Sequence, residues 1–298
     1  MNNIYKNLEL QLTKLYRHNR QGSFKTKERY YEAMKRFCHF LAEKYRLEKL
    51  ANIAPKHIFA YVDYMKEKNL SASTIKTDLA AIRFYQDMVA NPRYPKLPDN
   101  RELKLARRSF GKVDRSWSER EFSGMVQIAI EGDRQDYVAI FHLARHVGLR
   151  IHECFRIDTA IARQAVNTGK IVIKGKGGKV RSVPIFSNTV NILNKLLLST
   201  EPGHKLFVPK DMPTHIAINR LQQFIITHRS KVMDGDAPIP ITLHGLRHSY
   251  AVEQYKESVD EGHSDFVAKR TTSRLLGHNR ADVTNIYLTS LKEGDDDA

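Results

Sequence analysis

Cysteine is nearly missing from this chain: Cys38 and Cys154 are the only two in 298 residues. They make no CxxC pair and no metal-ligand spacing. That argues against a disulfide scaffold or a zinc module, and both are expected to pack as small apolar residues in a reducing cytoplasm. Long apolar runs are missing too, so no transmembrane helix is expected and no membrane partner. The start Met1-Asn2-Asn3-Ile4-Tyr5 lacks a charged stretch followed by an apolar one, and no signal peptide is expected. There is no internal repeat. Acidic residues are scarce relative to basic ones, with 33 Asp and Glu against 49 Lys and Arg, a net charge of +16. A charge so far from zero points to a polyanionic partner. No basic segment ends in an apolar anchor, which disfavours a membrane surface as that partner. Residues 1–110 hold 23 basic and 11 acidic residues, whereas 111–298 hold 26 and 22, so the first third of the chain carries most of the excess.

What is present falls into two parts. The first hundred residues read as helices. Thr26 is a candidate cap for a helix with Tyr30, Met34, Phe37, Cys38 and Leu41 at three- to four-residue spacing. A second helix is expected from Pro55 to Lys68, with Ile58, Tyr61, Val62 and Met65 facing inward. A third follows the turn at Asn69–Ser73, with Ser73 as N-cap and Ile75, Leu79, Ile82 and Tyr85 on one face. From Asn91 to about Ser116 the pattern breaks at three prolines, Pro92, Pro95 and Pro98. A basic run with Lys104, Arg107, Arg108 and Lys112 follows, which reads as an extended linker. The expected boundaries are a helical domain over 1–95, a linker over 96–115 and a second domain over 116–298. Ser118 and Glu121 fit a capping box at the start of the second domain. Gly169–Lys174 and Lys179–Pro184 read as two strands joined by Gly175-Lys176-Gly177-Gly178. The acidic end, Glu293–Ala298, is expected to be disordered.

Five short features of the second domain need one explanation. Gly148-Leu149-Arg150-Ile151-His152-Glu153 places an Arg at a helix start. The hairpin turn carries Lys176. His244 and Arg247, three apart in Leu243–His248, share a helix face. Leu275-Leu276-Gly277-His278 ends a helix with Gly and follows it with His, and Tyr287 comes soon after. Taken alone, each has an ordinary reading: a packed aromatic, a capping His, a solvated Lys, a surface Arg. Together they suit attack on a phosphodiester. That reaction needs a nucleophile, charge stabilisation for the phosphoryl oxygens and a proton for the leaving oxygen. Guanidinium forks bind phosphate oxygens and stay charged. Histidine exchanges protons near neutral pH, and a tyrosine hydroxyl needs such help.

This ordered set resembles the tyrosine recombinase (phage integrase) family, especially its Xer-like two-domain members. The matching residues are Arg150 in GLRIHE, Lys176 in GKGGK, His244 and Arg247 in HGLRH, His278 in LLGH and Tyr287 in NIY. Glu153 matches a supporting acidic position, and NLSASTIKTDLAAIRFY resembles a helix of the family's core-binding domain. The resemblance implies a mainly α fold with a small β-sheet. A helical, SAM-like core-binding domain and a mixed α/β catalytic domain would form a C-shaped clamp on DNA. It further implies a site-specific recombinase that works through a 3′-phosphotyrosyl link at Tyr287 with no cofactor and no metal. Its implied partner is double-stranded DNA with a specific core site, bound by a homotetramer on two duplexes that pass through a Holliday junction. The implied place of action is the cytoplasm, at the nucleoid, in integration, excision or resolution. Lys76, Arg83, Arg107, Arg108, Lys179 and Arg181 are the candidate DNA contacts. The interval from Arg247 to His278 is long for the family, and the extra residues are expected as a loop over Lys256–Lys269 around Gly262. A type IB topoisomerase and a catalytically silent DNA-binding protein of the same fold are the competing readings.

Overall fold

The computed structural model describes residues 3–19, 24–106, 114–175, 178, 180–233, 240–277, 284–285 and 287–288. The chain divides into two compact units, Met1–Ser109 and Phe110–Ala298. The fold is mainly helical, with one small sheet among the described residues. No described helix is long and apolar enough to cross a membrane.

The first unit holds α1 (Asn3–His18), α2 (Phe24–Tyr45), α3 (Pro55–Glu67) and α4 (Ala72–Gln86). Their apolar positions recur every three to four residues, so each helix has one face that must leave water. Those faces meet in a core that includes Leu8, Leu12, Met34, Phe37, Ile58, Leu79 and Tyr85. One charged pair enters it. Asp78 is buried on α4, and Arg36 of α2 reaches both its oxygens at 2.9 and 3.0 Å. Burying that carboxylate without a partner costs several kcal/mol, so the pair fixes how α2 and α4 meet.

Three local expectations change here. The cap of α4 is Ser71, whose hydroxyl accepts from the Thr74 N–H, and Ser73 lies inside the helix. Both serines can cap; the chain uses the one that lets the helix begin at Ala72. Thr26 also lies inside its helix, since α2 already runs from Phe24. The stretch read as an extended linker is partly built into this unit: Leu97 and Leu103 are buried in its core.

The second unit opens with α5 (Glu119–Glu131) and α6 (Gln135–His146). The expected capping box forms: Ser118 accepts from the Glu121 N–H, and the Glu121 carboxylate accepts from the Ser118 N–H. After α7 (Ile151–Cys154) and α8 (Thr159–Thr168) comes the expected hairpin. Its strands β1 (Lys170–Lys174) and β2 (Val180–Pro184) pair antiparallel, with Val172 opposite Ser182. Alternate residues point inward, so Ile171, Ile173 and Val183 are buried. Then follow α9 (Ser187–Ser199), α10 (Thr214–Val232), α11 (Leu243–Asp260) and α12 (Asp265–Leu276). The extra stretch over Lys256–Lys269 is therefore not a loop. It is the end of α11, a short turn with Gly262 at φ +87°, and the start of α12 capped by Ser264. Its polar composition reflects an exposed helix face, which composition alone does not distinguish from a loop. Both cysteines are buried and free.

Candidate active site

The site is built around the first turns of α7 and α11. The chain reaches α7 through Gly148 at φ +65°, where a Cβ would stand 2.3 Å from a carbon of the Tyr250 ring. Only glycine combines that backbone with that closeness. Arg150 then sits at the N-cap of α7 in extended backbone. Glu153, one turn on, folds back: its Oε2 accepts from the Arg150 backbone N–H at 2.8 Å and its Oε1 from Arg150 Nη1 at 3.0 Å.

The start of α11 is pinned in its turn. Trp117 donates its indole N–H to the Thr242 carbonyl at 2.8 Å, and its backbone N–H donates to Ser249 Oγ at 3.0 Å. A Cβ on Gly245 would stand 2.3 Å from the Arg115 carbonyl oxygen, so this contact also needs glycine. The helical spacing then aligns His244, Arg247 and His248 along neighbouring turns. Arg247 is wholly buried. It donates through Nη1 to the Gly148 carbonyl and through Nη2 to the Leu276 carbonyl, tying α11 to the entry of α7 and the end of α12. Its Nη1 also lies 3.9 Å from Glu153 Oε2.

Tyr287 completes the group. Its hydroxyl is 3.4 Å from His244 Nε2, and its ring centroid is 4.3 Å from that of His248. The residue is nearly buried, and its N–H donates to the Thr284 carbonyl at 2.9 Å. The electrostatics suit proton transfer. Burial of the inner side of His244, then the charges of Arg247, Arg150 and Arg115, push its pKa down to about 4. Its outer side meets solvent, which softens the shift, but the direction leaves a neutral ring at pH 7 that can accept a proton. Burial, then the charge of Arg150, lowers Arg247 to about 10, which leaves it charged at neutral pH. Burial alone would raise the Glu153 carboxyl, but hydrogen bonds and charge from Arg181, with help from Arg150, hold it at about 2. A cavity of ≈ 510 Å³ opens beside the group, lined by Arg150, His152 and His244 with the apolar Ile151, Ile225 and Ile241.

The structure thus brings together Arg150, Glu153, His244, Arg247 and Tyr287. Lys176 and His278 lie outside the described residues, as do Arg107, Arg108 and Lys179. The other candidate DNA contacts have partners within the protein. Lys76 donates to the Ala106 carbonyl at 2.6 Å, and Arg83 donates to the Pro98 carbonyl and to Asn100 Oδ1. Arg181 is buried and donates to both oxygens of Glu153, at 2.9 and 2.7 Å. Sequence reasoning passed over His248, although it lies one helical turn from His244 in the same motif. It also passed over the pinning role of Trp117 and Ser249, whose separation of 132 positions leaves no local signal.

Both units also match known proteins. Residues 11–90 match the family described as phage integrase, N-terminal SAM-like domain, and residues 118–293 match the phage integrase family. A tyrosine recombinase XerC of Natranaerobius thermophilus is 26% identical over 275 residues, covering 88% of this chain and 87% of its own. A tyrosine recombinase XerD of Rickettsia bellii is 27% identical, covering 84% and 83%. Among solved structures, a lambda integrase dimer bound to a COC′ core site has a TM-score of 0.63 at 18% identity, covering 95% of this chain and 94% of that one. XerH recombinase bound to palindromic difH substrate has a TM-score of 0.62 at 17% identity, covering 96% and 84%. The structural likenesses bear on the fold, and the matched residues span both units. The chain belongs to the phage integrase family of tyrosine recombinases, enzymes that break and rejoin DNA at specific sites.

Proposed function

We propose that Tyr287 is the nucleophile of strand cleavage. The observation that carries this is the Tyr287 hydroxyl, 3.4 Å from His244 Nε2, with the charges of Arg150 and Arg247 beside it. Tyr287 Oη forms a bond to phosphorus while the bond from phosphorus to the 5′-oxygen breaks. The tyrosine proton passes to neutral His244, and Lys176 supplies a proton to the departing 5′-oxygen. Arg150, the more exposed arginine, contacts the phosphoryl oxygens. Arg247 adds its charge from behind, and His278 adds a hydrogen bond. The product is a 3′-phosphotyrosyl link. A 5′-hydroxyl of a partner strand reverses the chemistry, and the covalent link conserves the bond energy, so no cofactor or metal is required.

The net charge of +16 supports a DNA partner. The solved structures named above include lambda integrase on a core site and XerH on difH substrate, and this supports a specific duplex site for this chain as well. The complete reaction is expected to use four protomers on two duplexes and to pass through a Holliday junction, at the nucleoid in the cytoplasm. Lys76, Arg107, Arg108 and Lys179 follow the phosphate backbone. The test is Tyr287→Phe on a nicked duplex carrying the protein's own site. Covalent capture is expected to vanish while binding stays within about twofold, because one hydroxyl adds little to a contact dominated by phosphate charge. Covalent capture by this variant would overturn the assignment.

A further inference from the structure

Glu153 is a fully buried carboxylate with three arginines around it. Arg150 and Arg181 donate to it directly, and Arg247 Nη1 stands 3.9 Å away. One negative charge cannot balance three positive ones, and which arginine it satisfies decides what the other two can do. Arg181 has the tightest hold. Its two Nη atoms take one Glu153 oxygen each, the planar fork that a guanidinium offers a carboxylate. Arg181 is itself buried and belongs to β2, far from α7 in sequence. Its side chain also passes under the end of α12, where a Cβ on Gly277 would stand 3.0 Å from Arg181 Cδ.

The geometry points to Arg181 as a positioning residue for cleavage: it neutralises and orients Glu153, so that Arg150 and Arg247 keep their positive charge for the phosphate. This rests on the recombinase reading for the identity of the phosphate. It gives Arg181 a different task from contact with DNA. Without Arg181, Glu153 would turn its charge on Arg150 and Arg247, and the field on an incoming anion would weaken. Without both Arg181 and Glu153, that field would return.

The test uses the whole chain as wild type, Arg181→Met and Arg181→Met/Glu153→Gln. The first readout is titration with inorganic phosphate, followed on the His244 ring protons so that only this site is seen. Arg181→Met is expected to bind phosphate about tenfold more weakly, and the double variant to recover to within about threefold of wild type, since the field depends on net local charge. Equal binding by wild type and Arg181→Met would overturn the proposal, and so would a double variant as weak as the single one. The double variant leaves no orphaned carboxylate. If Arg181→Met alone does not fold, the double variant decides by itself, with binding near wild type in favour and a tenfold loss against.

The second readout is covalent capture of a nicked duplex with either a phosphate or a neutral methylphosphonate at the cleaved position. Arg181→Met should lose about 30-fold on the phosphate and less than about threefold on the methylphosphonate, which asks less of the arginines. Equal losses on both would mark a merely structural role and overturn the proposal. If wild type captured neither DNA, the recombinase reading would fail, and the phosphate titration would still decide the role of Arg181.

Discussion

Among the described residues each unit buries one arginine-bound carboxylate, and the two are built differently. In the first unit Asp78 is held by Arg36, whose side chain is 55% exposed, with the Tyr61 hydroxyl donating at 3.4 Å. One acid meets one base, and the pair serves packing. In the second unit Glu153 is fully buried, and the two arginines closest to it, Arg181 and Arg150, are 5% and 24% exposed, with a third, Arg247, wholly buried nearby. This cluster keeps an excess of positive charge away from water. Folding gains nothing from such an excess, because like charges held in a low dielectric repel. It makes sense where an anion arrives, and it stands beside Tyr287 and His244.

Removing one arginine from each cluster should have different consequences in the two units. Arg247→Met should lower covalent capture by about 10³-fold, the scale of losing a preorganised charge at a reacting phosphate. Arg247→Lys should recover little of it, since one ammonium cannot reach both the Gly148 and Leu276 carbonyls. Recovery to near wild type with Lys would reduce Arg247 to a point charge.

The counterpart in the first unit acts on stability. Arg36→Met leaves the buried Asp78 carboxylate without its cation and should cost about 3 kcal/mol, as broken buried pairs do. The two effects can be read separately. Trp117 is the single tryptophan and lies in the second unit, so its fluorescence reports that unit, while circular dichroism sums both. Arg36→Met should lower the dichroism midpoint in urea and leave the tryptophan midpoint in place. A common shift in both would mean that the units unfold as one.

Acid separates the units by a third route. His248 is buried against Tyr287, and burial, then the His244 charge, takes its pKa down to about 3. Unfolded histidine binds a proton near pH 6.5, so the unfolded state takes up the proton first as the pH falls. The stability tied to a neutral His248 is thus complete above about pH 6.5 and is lost progressively toward about pH 3, by an amount on the order of 5 kcal/mol. Glu153 adds a loss at lower pH, since its folded value near 2 lies below the ordinary carboxylate range and its contribution disappears as the pH falls through 2. The tryptophan midpoint should decline between pH 6.5 and 4, and His248→Phe should flatten that decline. An unchanged slope in the variant would show that another group carries it.

The sequence made the order of the site legible, along with much of its local frame. Arg150, His244, Arg247 and Tyr287 are legible as a candidate set because a phosphodiester needs those groups and the motifs supply them in order, and folding brings the four together. The hairpin was readable from alternation and its glycine turn, and α5 from a Ser and a Glu three apart. The tasks of Arg181 and Arg83 were not readable. Both look like surface cations in sequence, and each is claimed by a partner that only folding brings near: Glu153, from 28 positions away, and the Pro98 carbonyl, from 15. Charge counting reports how many cations a chain holds, and burial decides which of them remain for a ligand.

The smallest difference between the units lies at the helix caps. Ser71 begins α4 with two bonds at its Oγ, one from the Thr74 N–H and one with the Thr74 hydroxyl, both in an exposed position. Ser118 begins α5 with two reciprocal bonds to a Glu121 that is 4% exposed. Ser71→Ala should cost a few tenths of a kcal/mol, because water replaces the lost acceptor. Ser118→Ala should cost about 1–2 kcal/mol, since the Glu121 N–H is left without its acceptor where water reaches it poorly. Tryptophan fluorescence should register the second change and not the first. Equal costs would mean that the Glu121 carboxylate holds the start of α5 without Ser118, and that the two units cap their helices with the same strength.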